Sequence, residues 1–397
     1  MKNMNFFRML LIAFLAVAGL TACSDDDELI PEEIRNEKTL LMYMPWSSNL
    51  TSYFYQNIKD MESCIEELGG LSDERVLVFI STSPTEANLF EIKYEKGSCQ
   101  RVDLKSYVNP KFTTENGIAE ILDDVISYAP AQKYSMIIGC HGMGWLPVNT
   151  SRTLRKSEKY HWDYEGSLLT RYFGGTTPEY QTDIATLSSA ITSVGLKLEY
   201  ILFDDCYMSS IEVAYELKDV ADYLIASTCE VMAYGMPYAT MGKHLLGTPD
   251  YRAICDDFYD FYSNYSVMPC GTLSVTALSQ IEPMAEIMKQ INSCCSFDDS
   301  QRDKLQNLDG YNPTIFYDFG DYVNTLLIQN NVSSSLIAEF EKQLNLLIPH
   351  KTNTDKFFTA SRGPIKIHTY SGITTSDPSK SQRANSKTST KWYYATH

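Results

Sequence analysis

Short apolar runs alternate with helix-patterned segments over much of this 397-residue chain. The strand-like runs lie at 39–44, 75–82, 134–140, 199–204 and 222–228. Apolar residues at helical spacing occur at 53–68, 113–129, 182–194 and 209–220. Continuous apolar strands that alternate with helices indicate a mainly parallel sheet covered by helices on both faces. We therefore predict an α/β fold with three layers.

The pattern is less regular outside this alternation. Residues 88–104 indicate a hairpin that turns near Lys96-Gly97. Helices are predicted near 251–264 and 281–295, around a strand at 271–279, and the stretch 361–374 indicates strands and loops. We accordingly divide the body into a core at 38–250 and a C-terminal α+β part at 251–397.

The N-terminus has the pattern of an export signal. Lys2 and Arg8 accompany a short apolar segment, and Leu20-Thr21-Ala22-Cys23 resembles the lipobox of bacterial lipoproteins, in which the cysteine is lipidated. An ordinary secretory signal with a chance cysteine is the alternative. No later segment approaches the roughly 20 apolar residues that span a bilayer. We expect a signal peptide at 1–22 and a membrane anchor at Cys23.

An acidic segment follows Cys23. The sequence SDDDE at 24–28 is typical of a solvated tether, and it also resembles an acidic signal that directs some lipoproteins to the outer cell surface. We therefore predict a tether at 23–37 and an outer-membrane lipoprotein exposed at the cell surface.

The composition and cysteine pattern argue against nucleic-acid binding and against a metal site. The hydrophobic fraction of 44% suffices for a large core, and the net charge of −17 argues against nucleic acid as a partner. Nine cysteines remain after Cys23, and an odd count in a secreted protein indicates a free thiol. The sequence contains neither CxxC nor HExxH, so we predict no metal site.

Two strand ends carry residue types suited to nucleophilic catalysis. His141 follows the strand at 134–140, and Cys206 follows the strand at 199–204. The carboxyl ends of parallel strands are where functional residues gather, and a thiol beside an imidazole can act as an activated nucleophile. The predicted helix at 209–220 would favour a Cys206 thiolate through its dipole. Cys140 is instead expected in the core, and His141 taken alone could be a capping or buried histidine.

These two segments resemble the motifs of one family. His141-Gly142-Met143-Gly144-Trp145 resembles the HGxGW box of the clostripain family of cysteine peptidases, in the clan of caspases, gingipains and legumains. Asp204 to Met208, followed by Glu212 to Leu217, resembles its DxCxM…EVAYEL box. Weaker likenesses are LLMYMPWSSNL to the opening strand, IATLSSAI to a helix, and IHTYSGIT with Lys391-Trp392-Tyr393-Tyr394 to the closing strands. The likeness spans roughly 38 to 395.

The resemblance implies a caspase-like catalytic core and a role for each motif residue. Cys206 would attack the peptide carbonyl, and His141 would protonate the leaving amine. The N–H groups of Gly142 and Cys206 would form the oxyanion hole. The expected function is a cysteine endopeptidase that acts on proteins or peptides. A surface-binding lipoprotein that kept this fold and lost activity is the alternative.

Substrate preference is less firmly implied. The family favours Arg or Lys before the cut, and Asp204 matches one of the acids that bind this residue. Asp204 could instead cap the backbone at the strand end. Tyr234 occupies the place of a second family acid, and Met236 that of a tryptophan. The turn Ser47-Ser48-Asn49 also lacks the usual acid of the family.

Maturation and calcium are further implications of the resemblance. Family members often mature by cutting a loop after the histidine strand. The matching loop 151–161 carries Arg152, Arg155, Lys156 and Lys159 as candidate sites of self-cleavage. A solvated basic loop on an acidic protein is the alternative. Calcium dependence is common in the family, but the sequence contains no EF-hand-like loop, and no other cofactor is expected.

Overall fold

A computed structural model describes residues 36–47, 49–148 and 178–397. Its strands are β1 (Asn36–Met44), β2 (Glu74–Ser83), β3 (Glu86–Glu95), β4 (Ser98–Val108), β5 (Ala131–Gly139), β6 (Leu198–Asp204), β7 (Ala221–Ala226), β8 (Thr272–Ala277), β9 (Tyr317–Asp318), β10 (His350–Asn353), β11 (Lys356–Thr359), β12 (Gly363–Lys366) and β13 (Thr374–Thr375). Its α-helices are α1 (Thr51–Glu67), α2 (Glu115–Tyr128), α3 (Ile184–Ser193), α4 (Ile211–Leu217), α5 (Tyr238–Leu245), α6 (Tyr251–Ser263), α7 (Ile281–Cys294), α8 (Phe319–Gln329), α9 (Ser334–Leu347) and α10 (Lys391–Thr396).

A nine-stranded sheet forms the centre of the described chain. Its strand order is β10-β8-β7-β6-β5-β1-β2-β3-β4. The five strands from β7 to β2 run parallel, and the antiparallel strands lie at the two edges. This confirms the mainly parallel sheet. Strands β8 and β10 come from the region 251–397, which therefore extends the same sheet as the core.

Side chains of the central strands alternate between two apolar layers. In β1, Leu41 and Tyr43 pack into one layer with helices such as α2, α3, α4 and α7. Leu40, Met42 and Met44 pack into the other layer with α1, α5 and α6. Burial on both faces explains why these strands are continuous apolar runs, since each fully buried aliphatic side chain contributes roughly 2 kcal/mol. The three-layer prediction is confirmed.

Local interactions explain several element ends. Lys96 and Gly97 connect β3 to β4 with φ of 52° and 91°, and positive φ at both positions is typical of a tight hairpin turn. Thr114 caps α2, because its hydroxyl accepts a hydrogen bond from the Gly117 N–H at 3.2 Å.

The region around Cys206 and the C-terminal part differ from the prediction. The helix after Cys206 is α4, which begins at Ile211 rather than 209 and ends at Leu217 rather than 220. Ser210 sets its start, because its hydroxyl accepts a hydrogen bond from the Val213 N–H at 3.2 Å. Residues 319–347 contain the two helices α8 and α9, a region for which the sequence analysis had predicted no element.

The terminal aromatic segment is also helical, so the expectation of a closing strand there is wrong. Lys391 to Tyr394 begin α10, and the Thr390 hydroxyl caps it by accepting from the Tyr393 N–H at 3.2 Å. Trp392 is buried and lies edge-on to Tyr215, with ring centroids 5.8 Å apart. Of IHTYSGIT, only Thr374 lies in a strand. Aromatic residues favour strands in general, but here a cap and a packing site select a helix.

Some predicted features lie outside the described residues. These are the signal peptide, Cys23, the tether except its last two residues, and the loop residues Arg152, Arg155, Lys156 and Lys159. Within the described ranges, no helix is both long and apolar enough to cross a bilayer.

Candidate active site

The two motifs meet at the carboxyl ends of adjacent parallel strands. Strand β5 pairs with β6, and Gly139 lies opposite Asp204 at the end of this ladder. His141 and Cys206 each follow two residues beyond these partners, and both are fully buried. The register of the sheet therefore brings together residues that are far apart in sequence.

Glycine is required where the histidine loop crosses the cysteine loop. A Cβ atom on Gly142 would lie 2.1 Å from the carbonyl oxygen of Cys206 and 2.9 Å from its nitrogen. Gly144 has φ of 61°, and a Cβ there would lie 2.9 Å from the carbonyl oxygen of Tyr207. The two backbones are thus in direct contact, which only residues without a side chain allow.

The backbone turns sharply directly after Cys206. Tyr207 has φ of 63°, a left-handed conformation that is rare for a residue other than glycine. Its N–H donates to the Cys229 carbonyl at 3.1 Å, and its hydroxyl donates to Glu230 at 2.8 Å. Its ring stacks on Phe316 with centroids 4.9 Å apart. These contacts hold the turn in its strained conformation.

The Cys206 thiol contacts a backbone donor. The Val231 N–H points at Sγ, with a nitrogen–sulfur distance of 3.1 Å. A donor aimed at sulfur favours the thiolate over the thiol. The thiol also lies 3.8 Å from the Val231 carbonyl oxygen, and α4 begins five residues after Cys206, so the Val231 backbone rather than the start of the helix contacts the sulfur.

Cys140 points into the core, as expected. Its N–H donates to Asp205 Oδ1 at 2.8 Å, and its thiol lies 3.4 Å from Asp205 Oδ2. Asp205 therefore joins the end of β5 to the cysteine loop. Sequence reasoning assigned no role to Asp205, although its position next to Cys206 was a usable signal.

His141 has a side-chain partner on a third strand end. Its Nε2 lies 2.9 Å from Oδ1 of Asn49, in the turn between β1 and α1. An amide oxygen only accepts hydrogen bonds, so this contact places the ring hydrogen on Nε2 and makes Nδ1 the basic nitrogen. The asparagine stands in the turn where the family's usual acid was missing from the sequence. Sequence reasoning did not assign it a role.

Asp204 holds the loop that follows β7. Its Oδ1 accepts from the Met236 N–H, and its Oδ2 accepts from the Tyr238 hydroxyl, both at 3.0 Å. The carboxylate is fully buried. These bonds fix the Asp204 carboxylate against the loop that follows β7.

Tyr234 contacts Asp60, an acid to which the sequence analysis assigned no role. Its hydroxyl donates to Asp60 Oδ2 at 2.7 Å, and its ring stacks on Phe261 with centroids 4.8 Å apart. Burial raises the pKa of Tyr234, and the hydrogen bond to Asp60 raises it further, with a smaller contribution from the charge of Asp204. In sequence, Asp60 is one polar position of a helix, which carries no functional signal by itself.

The described part of the chain offers no group suited to a metal ion. Among these residues, no set of three or more His, Cys, Asp or Glu side chains is arranged to hold one.

Comparisons with known proteins identify the family of the chain. A family model described as the clostripain family matches residues 42–363. The chain is 55% identical to a secreted C11 cysteine protease from Bacteroides thetaiotaomicron called iotapain, with 91% of this chain and 99% of that chain covered and a TM-score of 0.84.

Two further solved structures are similar. A clostripain from Bacteroides thetaiotaomicron in complex with the peptide inhibitor BTN-VLTK-AOMK is 58% identical, covers 57% of this chain and 99% of its own, and has a TM-score of 0.55. An inactive zymogen C11 protease from Parabacteroides distasonis shares the fold at 24% identity, with 91% and 98% coverage and a TM-score of 0.74. A search of curated proteins found no match. The family model and the iotapain likeness together show that this chain belongs to the clostripain family of cysteine proteases.

Proposed function

We propose that this protease cleaves peptide bonds with Cys206 as nucleophile and His141 as the proton-transfer group. The observation that carries the proposal is the contact between Gly142 and the Cys206 backbone at the paired ends of β5 and β6. This contact joins the histidine loop to the cysteine loop. Either residue alone would have an ordinary structural explanation.

The chemical steps follow from the donors at this point. The Cys206 thiol passes its proton to His141, and the resulting thiolate attacks the substrate carbonyl carbon to form a tetrahedral oxyanion, towards which the N–H groups of Gly142 and Cys206 are the expected donors. His141 gives a proton to the leaving amine, and an acyl-thioester remains on Cys206. Water then attacks the thioester, releases the acid, and restores the thiol and imidazole.

A basic residue before the cut is the proposed specificity. Asp204 supports it, because a carboxylate two residues before the proposed nucleophile could pair with a lysine or arginine side chain. The similar clostripain was crystallised with an inhibitor whose peptide letters, VLTK, end in lysine. Tyr234 is proposed to line the same pocket.

We further propose export, with a lipid anchor on Cys23 in the outer membrane. The lipobox-like sequence and the acidic segment after it support this, and iotapain is described as secreted. Radioactive palmitate should label the wild type and not Cys23→Ser. Equal labelling of both would contradict the anchor.

Self-cleavage in the loop at 151–161 belongs to the same proposal. Arg152, Arg155, Lys156 and Lys159 would be cut only if the enzyme accepts basic residues. The wild type should yield two fragments on incubation, and Cys206→Ala should stay intact. A wild-type chain that remains uncut while cleaving basic peptides would show that the loop is not a processing site.

The deciding experiment is cleavage of a peptide library with every residue before the cut. Wild type, Cys206→Ala and His141→Ala should be compared with and without calcium. We expect cleavage after Lys or Arg by the wild type only. Cleavage after other residues would keep the mechanism and remove the basic preference. No cleavage by any of the three would favour the binding lipoprotein on the same fold.

A further inference from the structure

One buried acid near the site has no part in the steps above. Asp60, on α1, is 8% exposed. Its Oδ2 accepts from the Tyr234 hydroxyl at 2.7 Å, and its Oδ1 accepts from the Gln56 amide at 2.7 Å. Both of these partners are neutral donors, so they orient the carboxylate without cancelling its charge.

The loop that carries Tyr234 is fastened to the same face of α1. The Asn57 side-chain amide donates to the Tyr234 carbonyl at 2.9 Å, and Asp60 lies one turn further along the helix. The Tyr262 hydroxyl donates to the Gly235 carbonyl at 2.7 Å. Hydrogen bonds from Asn57 and Tyr262 therefore fix the backbone at Tyr234 and Gly235, which fixes the position of the Tyr234 hydroxyl.

This loop also connects Asp60 to the nucleophile. Val231, three residues before Tyr234, donates its N–H to the Cys206 sulfur at 3.1 Å. Met236, two residues after Tyr234, donates its N–H to Asp204 at 3.0 Å. Tyr234 is thus connected to two buried acids. It is hydrogen-bonded directly to Asp60, and the backbone of its loop is hydrogen-bonded to Asp204.

We infer that Asp60 is a specificity-determining residue, which supplies a second negative charge to the pocket for the basic side chain through Tyr234. A phenol that donates its hydrogen to Asp60 can accept a hydrogen bond from an ammonium or guanidinium group through its oxygen. The carboxylate polarises the phenol and strengthens that bond. The Asp60–Tyr234 pair then binds the basic side chain in place of the family acid whose position Tyr234 occupies.

The inference rests on the proposed preference for basic residues, so its test measures that preference. Wild type, Asp60→Asn, Tyr234→Phe and the double variant are compared on peptides identical except for Lys or norleucine before the cut. Norleucine has nearly the shape of lysine without the charge. We expect each single variant to lower the Lys-to-norleucine ratio of kcat/KM at least about 10-fold, mainly through KM. The double variant should lose little more than either single one, since the two residues act as a unit.

Two controls separate a charge effect from a structural one. Glu67→Gln changes an exposed acid on the same helix and should leave the ratio unchanged. The rate at which neutral iodoacetamide alkylates Cys206 should be equal in all variants, because this reagent does not use the pocket for the basic side chain. If Asp60→Asn does not fold, Tyr234→Phe keeps Asp60 in place and still removes the bridging hydroxyl.

The possible results distinguish a failure of the proposed role of Asp60 from a failure of the proposed preference for basic residues. A wild type that prefers lysine, with variants that keep the preference, would overturn the role of Asp60 alone. A wild type without preference for Lys or Arg would overturn the proposed specificity, and the inference with it. A loss of kcat alone, equal for Lys and norleucine, would assign Asp60 to structural support and contradict the inference.

Discussion

The imidazole Nε2 of His141 lies 2.9 Å from the amide oxygen of Asn49 and thereby connects the ends of β5 and β1. Cys206 lies past the end of β6, on the other side of β5. Three neighbouring strand ends therefore carry the proposed nucleophile, the proposed proton-transfer group and the asparagine that contacts it. The arrangement resembles that of other nucleophilic sites, in which a third group fixes the tautomer of the base.

Asn49→Ala should lower kcat by about 10²-fold, because an imidazole that is no longer oriented spends less time in the reactive geometry. Asn49→Asp should retain more activity, since a carboxylate also accepts from Nε2. The measurement is kcat for a Lys peptide as a function of pH. The carboxylate that Asn49→Asp introduces should raise the pKa of His141 and move the profile to higher pH. Equal activity of the wild type and Asn49→Ala would contradict an orienting role.

Gly142→Ala should lose at least about 10²-fold in kcat/KM, because its Cβ would lie 2.1 Å from the Cys206 carbonyl and force the two loops apart. Gly139→Ala is the matched control, three residues earlier. Its Cβ would meet Met44 Cγ at 3.5 Å, an ordinary contact. Kinetics and thermal melting of both variants test the difference. A fully active Gly142→Ala would show that the loop contact does not shape the site.

Cys140→Ala should remain an active protease. The variant loses the thiol contact to Asp205 and leaves a small gap in the core, so we expect a loss of about 1 kcal/mol in the free energy of unfolding. Cys206→Ala should be inactive and similarly folded. Titration with an irreversible peptide inhibitor should count one reactive thiol in Cys140→Ala and none in Cys206→Ala. The reverse result would exchange the roles of the two cysteines.

Glu212 should make the stability of the protein depend on pH. Burial raises the pKa of its carboxyl to about 7, and the nearby charge of Asp377 acts in the same direction. Hydrogen bonds from the Ser376 N–H and the Thr375 hydroxyl oppose the shift. The folded state therefore holds a proton that the unfolded state releases from its ordinary pKa of 4.5 upwards. Folded stability falls as the pH rises from 4.5 to about 7, and is constant above that range for this group.

Glu212→Gln should remove this dependence, because the amide stays neutral at every pH. Relative to the wild type, the variant should gain roughly 3 kcal/mol in free energy of unfolding between pH 4.5 and about pH 8. Urea unfolding at a series of pH values measures the gain, and Glu286→Gln, at an exposed acid, is the control. Parallel curves for wild type and Glu212→Gln would show that Glu212 ionises normally.

Much of the fold could be predicted because its signals are local. The apolar runs of β1, β5 and β6 mark strands that are buried on both faces, and the spacing in α1 and α2 marks helices with one buried face. The prediction was wrong at the segment from 391 to 394 and incomplete at 319–347. Strand and helix preferences of aromatic and aliphatic residues overlap there, and packing decides between them.

Periodicity and short motifs were enough to predict the order of the central strands and helices, the strand ends at which His141 and Cys206 lie, and the glycines of the histidine loop, because these signals need no distant partner. Only the tertiary structure shows which side chains contact the residues of the two motifs and of the loop after β7. Asn49 meets His141 across 92 residues, Asp60 meets Tyr234 across 174, and Asp205 meets Cys140 across 65. Such contacts depend on strand order and register, which bring together segments that carry no local sequence signal for their contact.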